Sequence, residues 1–221
     1  MKKFFFPLFA ILMLAVSCKK SSSDGTSTAP PYMSTSAGST WNYEIINNTN
    51  SSTTLYTLAS TNRDSTVNGK AYHVYTNTTA GNEYYNITGS DYYTFRYLGV
   101  QAGGTTVESI YLKDNSPVGT TWTQSVPVTF SGIPLMINFN NSITEKGIAK
   151  TVNSITYNDV IHVTTVITIP GIPSSSLYTD IHSYYGRKVG MIQSKNVIHL
   201  NYSGVVQNTD LLTNLKTSTI L

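Results

Sequence analysis

The sequence predicts an all-β protein, with one strongly curved antiparallel sheet that forms a half-barrel or open barrel and contains an internal two-fold sequence repeat. Three observations support this fold class. From Ser39 onward, apolar residues recur at every second position, and turn-forming residues interrupt them at short intervals. No window of about eleven residues sustains the helical period of 3.6. Any helix is therefore expected to be short.

The alternation of apolar and polar residues indicates where strands lie. It is clearest over residues 41–45, 93–97 and 161–169, where aromatic or β-branched residues share one face. Between such runs stand residue pairs that favour tight turns, because glycine and asparagine tolerate positive φ angles. These pairs predict hairpins at Asn68-Gly69, Gly89-Ser90, Gly171-Ile172-Pro173 and Ser203-Gly204.

The chain also repeats short segments. Gly38–Trp41 reads Gly-Ser-Thr-Trp and returns as Gly-Thr-Thr-Trp at Gly119–Trp122. Residues 66–68 return at 151–153, and residues 72–74 resemble 161–163. Repetition at a similar offset is the signature of duplicated structural units. We therefore expect one domain over residues 38–221, with two sheet halves at 39–112 and 118–202.

The N-terminus predicts a cleavable signal peptide over residues 1–17. Lys2 and Lys3 precede an apolar run over Phe4–Val16. As a helix this run would span about 20 Å, short of the roughly 30 Å hydrocarbon core of a membrane. Cys18 is the only cysteine and follows directly, in the segment Leu14-Ala15-Val16-Ser17-Cys18.

This segment resembles the bacterial lipobox, in which the cysteine thiol receives a diacylglycerol and the new amine is acylated, typically with palmitate. The resemblance implies lipidation at Cys18 and a membrane partner through the N-terminal lipid. Two acyl chains already anchor a protein stably, since each buried methylene contributes about 0.8 kcal/mol. The polar residues that follow predict a flexible tether, so residues 18–37 are assigned to the lipidated cysteine and its tether.

Charge and sorting residues indicate the location. The formal charge of +3 includes Lys2 and Lys3, so the mature chain is nearly neutral. Its basic residues are scattered, which excludes a nucleic-acid partner. By resemblance to bacterial lipoprotein sorting rules, an aspartate directly after the lipidated cysteine implies retention in the inner membrane. That position is Lys19 here, and no acidic cluster follows Cys18. These features favour the outer membrane, and its periplasmic face over the cell surface.

The repeated motifs also resemble a group of uncharacterised Gram-negative lipoproteins. The resemblance rests on Gly38–Trp41, Gly119–Trp122, the Thr-Val-Asn segment at 151–153, and Tyr184-Tyr185 with Val189-Gly190-Met191. Members of this group resemble half-barrel periplasmic lipoprotein carriers. The resemblance implies a fold and a location in the cell envelope, and it implies no activity.

Motifs of common enzymes are missing from the sequence, so we expect no catalytic residues, no cofactor and no metal. No G-x-S-x-G, G-x-x-x-x-G-K-[ST], G-x-G-x-x-G or H-E-x-x-H segment occurs. The histidines are His73, His162, His182 and His199, and their spacing includes no short-range ligand pair. They are interpreted as solvent-facing strand residues.

Three further features suggest binding or modification. Two Gly-Ile-Pro bends predict a ligand rim that offers apolar contacts to an acyl chain. The rim is composed of Ile133, Leu135, Met136 and Ile172. Asp64-Ser65-Thr66 resembles a periplasmic O-glycosylation triad in a predicted turn, with Ser65 as the acceptor. The tyrosine pairs at 84–85, 92–93 and 184–185 should each point one ring into the core and one outward.

Together these features predict a lipid-anchored, non-catalytic β-domain for binding or scaffolding, which holds an apolar ligand on its concave face. Two alternatives remain open. Exposed tyrosines would suit a glycan- or protein-binding envelope module. Converging histidines and carboxylates in a cleft would instead indicate an enzyme without a recognisable motif.

Overall fold

A computed structural model describes residues 29–98, 105–130 and 133–221. Apart from a three-residue 3₁₀ helix, its regular structure is twelve β-strands in a single sheet. The strands are β1 Thr40–Asn47, β2 Ser52–Val67, β3 Lys70–Asn77, β4 Gly81–Thr88, β5 Asp91–Leu98, β6 Thr105–Lys113, β7 Thr121–Phe130, β8 Ile133–Val152, β9 Ile155–Thr168, β10 Leu177–Gly186, β11 Gly190–Tyr202 and β12 Val205–Thr219. The 3₁₀ helix is Ser174–Ser176.

The sheet is antiparallel throughout and forms a nearly closed barrel. Its strand order is β6-β5-β4-β3-β2-β1-β12-β11-β10-β9-β8-β7, so two six-strand meanders meet where β1 pairs with β12. In that pairing Thr40 lies opposite Thr219 and Asn47 opposite Leu211. The prediction of one strongly curved antiparallel sheet is confirmed, and the observed closure is greater than that of a half-barrel.

A seam between β6 and β7 completes the ring without a backbone ladder. The Trp122 indole Nε1 donates to the Ile110 carbonyl oxygen at 3.0 Å, and the Gln124 side-chain amide donates to the Glu108 carbonyl oxygen. Exposed strand edges invite pairing with other chains. Side chains of β7 therefore supply hydrogen-bond donors to part of the β6 edge, which would otherwise be open.

Alternation along the strands fills the barrel with apolar and aromatic side chains. Trp41, Ile143, Ile161 and Leu215 come from four different strands and are fully buried. The β2–β3 hairpin turns at Asn68 and Gly69, whose φ angles of 51° and 79° match a turn that asparagine and glycine adopt readily. The described residues contain no helix with the length and apolarity that crossing a membrane requires.

The barrel has two distinct ends. Because neighbouring strands are antiparallel, the odd-numbered strands all finish at one end of the barrel, here called the upper end. The loops that follow even-numbered strands form the lower end, where the segment at 30–36 packs. There the Lys188 amide donates to the Pro31 carbonyl oxygen at 2.9 Å, and the Tyr75 hydroxyl donates to the Ser34 carbonyl oxygen at 2.6 Å.

The observed domain begins earlier than the sequence predicts. The predicted tether extends to residue 37, but Tyr32 and Met33 belong to the core and are 0% and 5% exposed. The polar composition around them hides this role, because two apolar residues form no periodic pattern. The tether boundary at residue 38 is therefore wrong. The signal peptide and Cys18 lie outside the described residues.

The repeated segments occupy the first three strands of each meander. Trp41 lies in β1 and Trp122 in β7, while Asn68 and Asn153 stand in the β2–β3 and β8–β9 turns. The second predicted half ends at residue 202, so β12 lies outside it. The internal repeat stays a prediction.

Candidate functional site

The barrel encloses a cavity of about 660 Å³, within the usual range for small-molecule sites. It extends from Met33 and Tyr185, on the lower side, towards Ala80 and Asn82 beside the β3–β4 loop at the upper end. Residues of β1, β2, β4–β6 and β10–β12 line it. The concave face of the sheet is therefore the inside of a nearly closed barrel.

Aromatic rings dominate the wall of this cavity. Tyr43 and Tyr56 are stacked, with ring centroids 5.0 Å apart and planes inclined by 19°. Tyr85 and Tyr111 form an edge-to-face pair at 5.9 Å, and Tyr111 also contacts Tyr185 at 5.4 Å. Burial raises the pKa of Tyr43, Tyr85 and Tyr111 well above its ordinary value. These hydroxyls are therefore neutral hydrogen-bond donors at physiological pH.

Two charged side chains also line the cavity, and their environments differ. Glu83 accepts hydrogen bonds from the Asn77 amide and the Tyr85 hydroxyl, both at 2.6 Å. Arg96 has one long contact, from Nε to the Thr94 hydroxyl at 3.5 Å. Burial opposes the charge of Arg96, but Tyr85 and Glu83 outweigh it, so the pKa of its guanidinium lies above the ordinary value.

The predicted ligand rim falls at the upper end of the barrel. Ile133 is the first residue of β8, and Ile172 lies in the β9–β10 loop, so both positions lie at the upper end. Leu135 and Met136 pair with Val128 and Pro127 across the β7–β8 hairpin, and Met136 is 42% exposed. Leu135, Met136 and Ile172 do not contribute to the cavity wall described above. Their role as a rim stays a prediction.

Ser65 does not occupy a turn. It lies within β2, half-buried, and pairs with Tyr72 of β3, while the preceding Asp64 binds the His73 imidazole at 2.9 Å. The predicted turn at this triad is therefore wrong, because the hairpin follows only at Asn68. Glycosylation at Ser65 stays a prediction, on a paired strand rather than a loop.

A second group of polar side chains lies on the outer face of β8–β10. His162 Nδ1 lies 2.8 Å from a Glu145 carboxylate oxygen, and His162 Nε2 lies 2.8 Å from His182 Nδ1. His182 Nε2 lies 2.6 Å from Asp180 Oδ1. The Tyr184 ring stacks on His162 with centroids 4.1 Å apart. The interpretation of His162 as solvent-facing is therefore wrong, since it is only 7% exposed.

The hydrogen-bond pattern assigns protons within this histidine pair. Glu145 and Asp180 accept hydrogen bonds, so His162 Nδ1 and His182 Nε2 are the donors in these two contacts, and one of the two rings donates in the contact between them. Burial lowers the pKa of His162, which favours its neutral form in this arrangement. Every ring nitrogen is thus occupied. Within the described part of the chain, no group of three or more histidine, cysteine or acidic side chains could hold a metal ion.

Two of the three tyrosine pairs follow the predicted alternation, whereas Tyr84 and Tyr85 are both half-buried and both line the cavity. Tyr92 and Tyr185 are buried, whereas Tyr93 and Tyr184 lie on the opposite face and are half-buried. Lysine ammonium groups cover both outer rings: Lys70 lies 3.0 Å from the Tyr93 centroid, and Lys150 lies 3.7 Å from the Tyr184 centroid. These outer rings therefore form no flat, open platform for a sugar.

Sequence reasoning missed the two charged groups of the cavity. In the sequence, Arg96 alternates with Tyr93, Phe95 and Tyr97, which gives it the face opposite these rings. The same pattern extended to Glu83 and Tyr85 gives a second strand with a charged residue. Charged residues on the inner face of these strands would indicate a polar lumen. The pairing of His162 with His182 depends on the register of β9 and β10, which no local signal reveals.

Comparisons with known proteins give one match. The crystal structure of "a putative lipoprotein from Parabacteroides distasonis ATCC 8503" is similar, with a TM-score of 0.49 and 11% sequence identity. The match covers 86% of this chain and 99% of that chain. No protein-family model and no curated protein matches the chain.

Proposed function

We propose that this chain is a lipid-anchored protein of the bacterial cell envelope whose barrel binds a small ligand in its lumen. The observation that carries the proposal is the cavity of about 660 Å³, with its wall of tyrosine rings. A largely pre-formed apolar pocket with a few convergent polar groups is the usual form of a small-molecule site. Binding rather than catalysis is proposed, because the histidine–carboxylate cluster lies on the outer face, away from this cavity.

The geometry of the cavity supports binding inside the barrel over binding on the outer face. Leu58, Met33, Met191 and Ile181 supply apolar contacts between the tyrosines. Burying an apolar ligand surface here contributes roughly 25 cal/mol per Å². By contrast, the outer tyrosines are partly covered by lysines. A glycan- or protein-binding module stays the second candidate, supported by the exposed rings of Tyr178 and Tyr202.

Native mass spectrometry with solvent extraction tests the ligand proposal. The domain from Lys19 to Leu221 contains every described contact of the barrel, and it would be purified from a bacterial periplasm without its lipid. We expect a co-purified small molecule at up to one per chain. Its absence, in a domain that melts cooperatively, would count against the carrier proposal and favour the glycan or partner alternative.

A pair of tryptophan substitutions locates the ligand. Ser194 lines the cavity on β11, and Ser194→Trp would place an indole in the lumen. Ser125→Trp is the matched control, because Ser125 is exposed on the outer face of β7. We expect Ser194→Trp to lose the co-purified molecule and Ser125→Trp to keep it. Equal retention in both variants would show that the molecule binds elsewhere.

We propose that the protein is anchored in the outer membrane, with the barrel on the periplasmic face. The lipid anchor in this proposal depends on the lipobox at residues 14–18. Replacement of Cys18 by alanine in the full chain should remove acylation and release the protein from membranes. The measurements are incorporation of a clickable palmitate analogue and recovery in the pellet after a carbonate wash. Ser21→Ala is the control and should stay labelled and pelleted. Label on the Cys18→Ala variant would contradict the lipid anchor.

A further inference from the structure

Arg96 places a cation inside the barrel. It lies in β5 and shares the inward face with Thr94, and its side chain lines the cavity. The barrel wall surrounds it, yet its side chain remains accessible because it faces the cavity space instead of packing against a neighbour. A guanidinium that faces an open cavity forms its strongest hydrogen bonds with anionic groups. The partners of this guanidinium therefore decide what the cavity binds.

Among the described residues, no carboxylate oxygen lies within 4.0 Å of Arg96. The ion pairs among these residues are formed by other side chains. Glu83, the carboxylate that shares the cavity, accepts a hydrogen bond at each of its oxygens, one from Asn77 and one from Tyr85. A guanidinium offers five N–H donors, and Arg96 directs one of them to Thr94 over 3.5 Å. The cavity thus contains a carboxylate that already accepts hydrogen bonds at both oxygens. It also contains a guanidinium whose remaining N–H donors are available to a ligand.

The surroundings of Arg96 add neutral donors and flat apolar surfaces. The hydroxyls of Tyr56 and Tyr111 line the cavity and form no hydrogen bond within the described part of the chain. Burial raises the pKa of both hydroxyls, so they can donate but do not compete as anions. The ring of Tyr56, which stacks on the buried Tyr43, also lines the cavity and offers an aromatic contact to a planar apolar group.

We infer that the cavity binds small amphipathic anions, in which an apolar ring system contacts the tyrosine wall and one carboxylate, sulfonate or phosphate group binds Arg96. This inference rests on the proposed function, since it requires a ligand inside the barrel. A guanidinium binds a planar carboxylate or a tetrahedral oxyanion with two parallel hydrogen bonds, which are stronger than hydrogen bonds between neutral groups. Neutral ligands of the same shape would forgo these bonds.

Two fluorescent probes with one ring skeleton test this inference. 8-Anilinonaphthalene-1-sulfonate carries a sulfonate, and N-phenyl-1-naphthylamine has the same rings without it. Titration into the domain from Lys19 to Leu221 is expected to show tighter binding of the sulfonate probe. Arg96→Gln should weaken the sulfonate probe about ten- to hundred-fold, as the loss of hydrogen bonds to a charged group implies, and change the neutral probe little.

The controls distinguish failure of this inference from failure of the proposed function. Arg63→Gln removes an exposed arginine of β2 and should change neither affinity. Ser194→Trp should abolish lumen binding of both probes. If both probes bind equally and Arg96→Gln changes neither, the lumen binds ligands but the anion inference is overturned. If neither probe binds the folded protein, or if Ser194→Trp changes nothing, the lumen site itself is refuted.

Discussion

Replacement of Tyr32 by alanine is expected to lower the free energy of unfolding by about 3 to 5 kcal/mol, as for other large buried aromatic side chains. Tyr32 is 0% exposed at the lower end of the barrel. Its backbone amide donates to the Tyr92 hydroxyl and its own hydroxyl donates to Asp159, both at 2.9 Å. The Arg187 guanidinium lies 4.4 Å from its ring centroid. Alanine would leave a cavity and remove the hydrogen bonds that the Tyr32 hydroxyl forms with Asp159 and Arg187.

Urea unfolding of the domain from Lys19 to Leu221 measures this effect. Tyr178→Ala is the matched control, because its ring is 58% exposed on β10, and its change should stay within about 0.5 kcal/mol. Tyr32→Phe separates packing from the hydroxyl and should cost about 1 kcal/mol. An unchanged stability for Tyr32→Ala would mean that residues 30–36 behave as part of the tether after all.

Trp41→Ala should cost a similar 3 to 5 kcal/mol, roughly the usual range for a buried tryptophan. The indole is 0% exposed in β1, lies 5.8 Å from the Tyr75 ring, and donates from Nε1 to the Val189 carbonyl oxygen. It therefore connects the first meander to the β10–β11 turn of the second. Thermal and urea unfolding should both show the loss.

Trp122→Ala is the informative comparison, because Trp122 carries the same Gly-x-Thr-Trp signature. Its side chain is only half-buried at the β6–β7 seam. We expect a smaller loss of stability than for Trp41→Ala, with the loss of its hydrogen bond to Ile110 weakening the seam. Equal losses at both positions would show that the two tryptophans are energetically equivalent, as the predicted repeat implies.

Local chemistry made much of the sheet predictable. The turn at Asn68-Gly69 is visible because these residues favour positive φ, and the strand around Ile161 is visible because its apolar residues alternate. Ser65 shows the limit of local reading. A polar Asp-Ser-Thr segment resembles a turn, yet strand pairing with Tyr72 places it in β2.

The candidate site could be predicted only in outline. The sequence indicated a curved sheet with a binding face, but it placed the ligand contacts at Met136 and Ile172 instead of the cavity wall. The cavity depends on residues such as Arg96 and Tyr185, which lie far apart in the chain. Their approach follows from curvature and strand order, which short sequence windows do not encode.

The sequence by itself determined the strand content, most hairpin positions and the motif that indicates a lipid anchor, because each depends on neighbouring residues. The tertiary structure alone decided the pairing of β1 with β12, the burial of Tyr32 and the meeting of His162 with His182. Pairing between distant strands is selected by the total burial and hydrogen bonding of the closed sheet. The cation in the lumen is a product of that closure, since Arg96 acquires its surroundings only when the barrel forms.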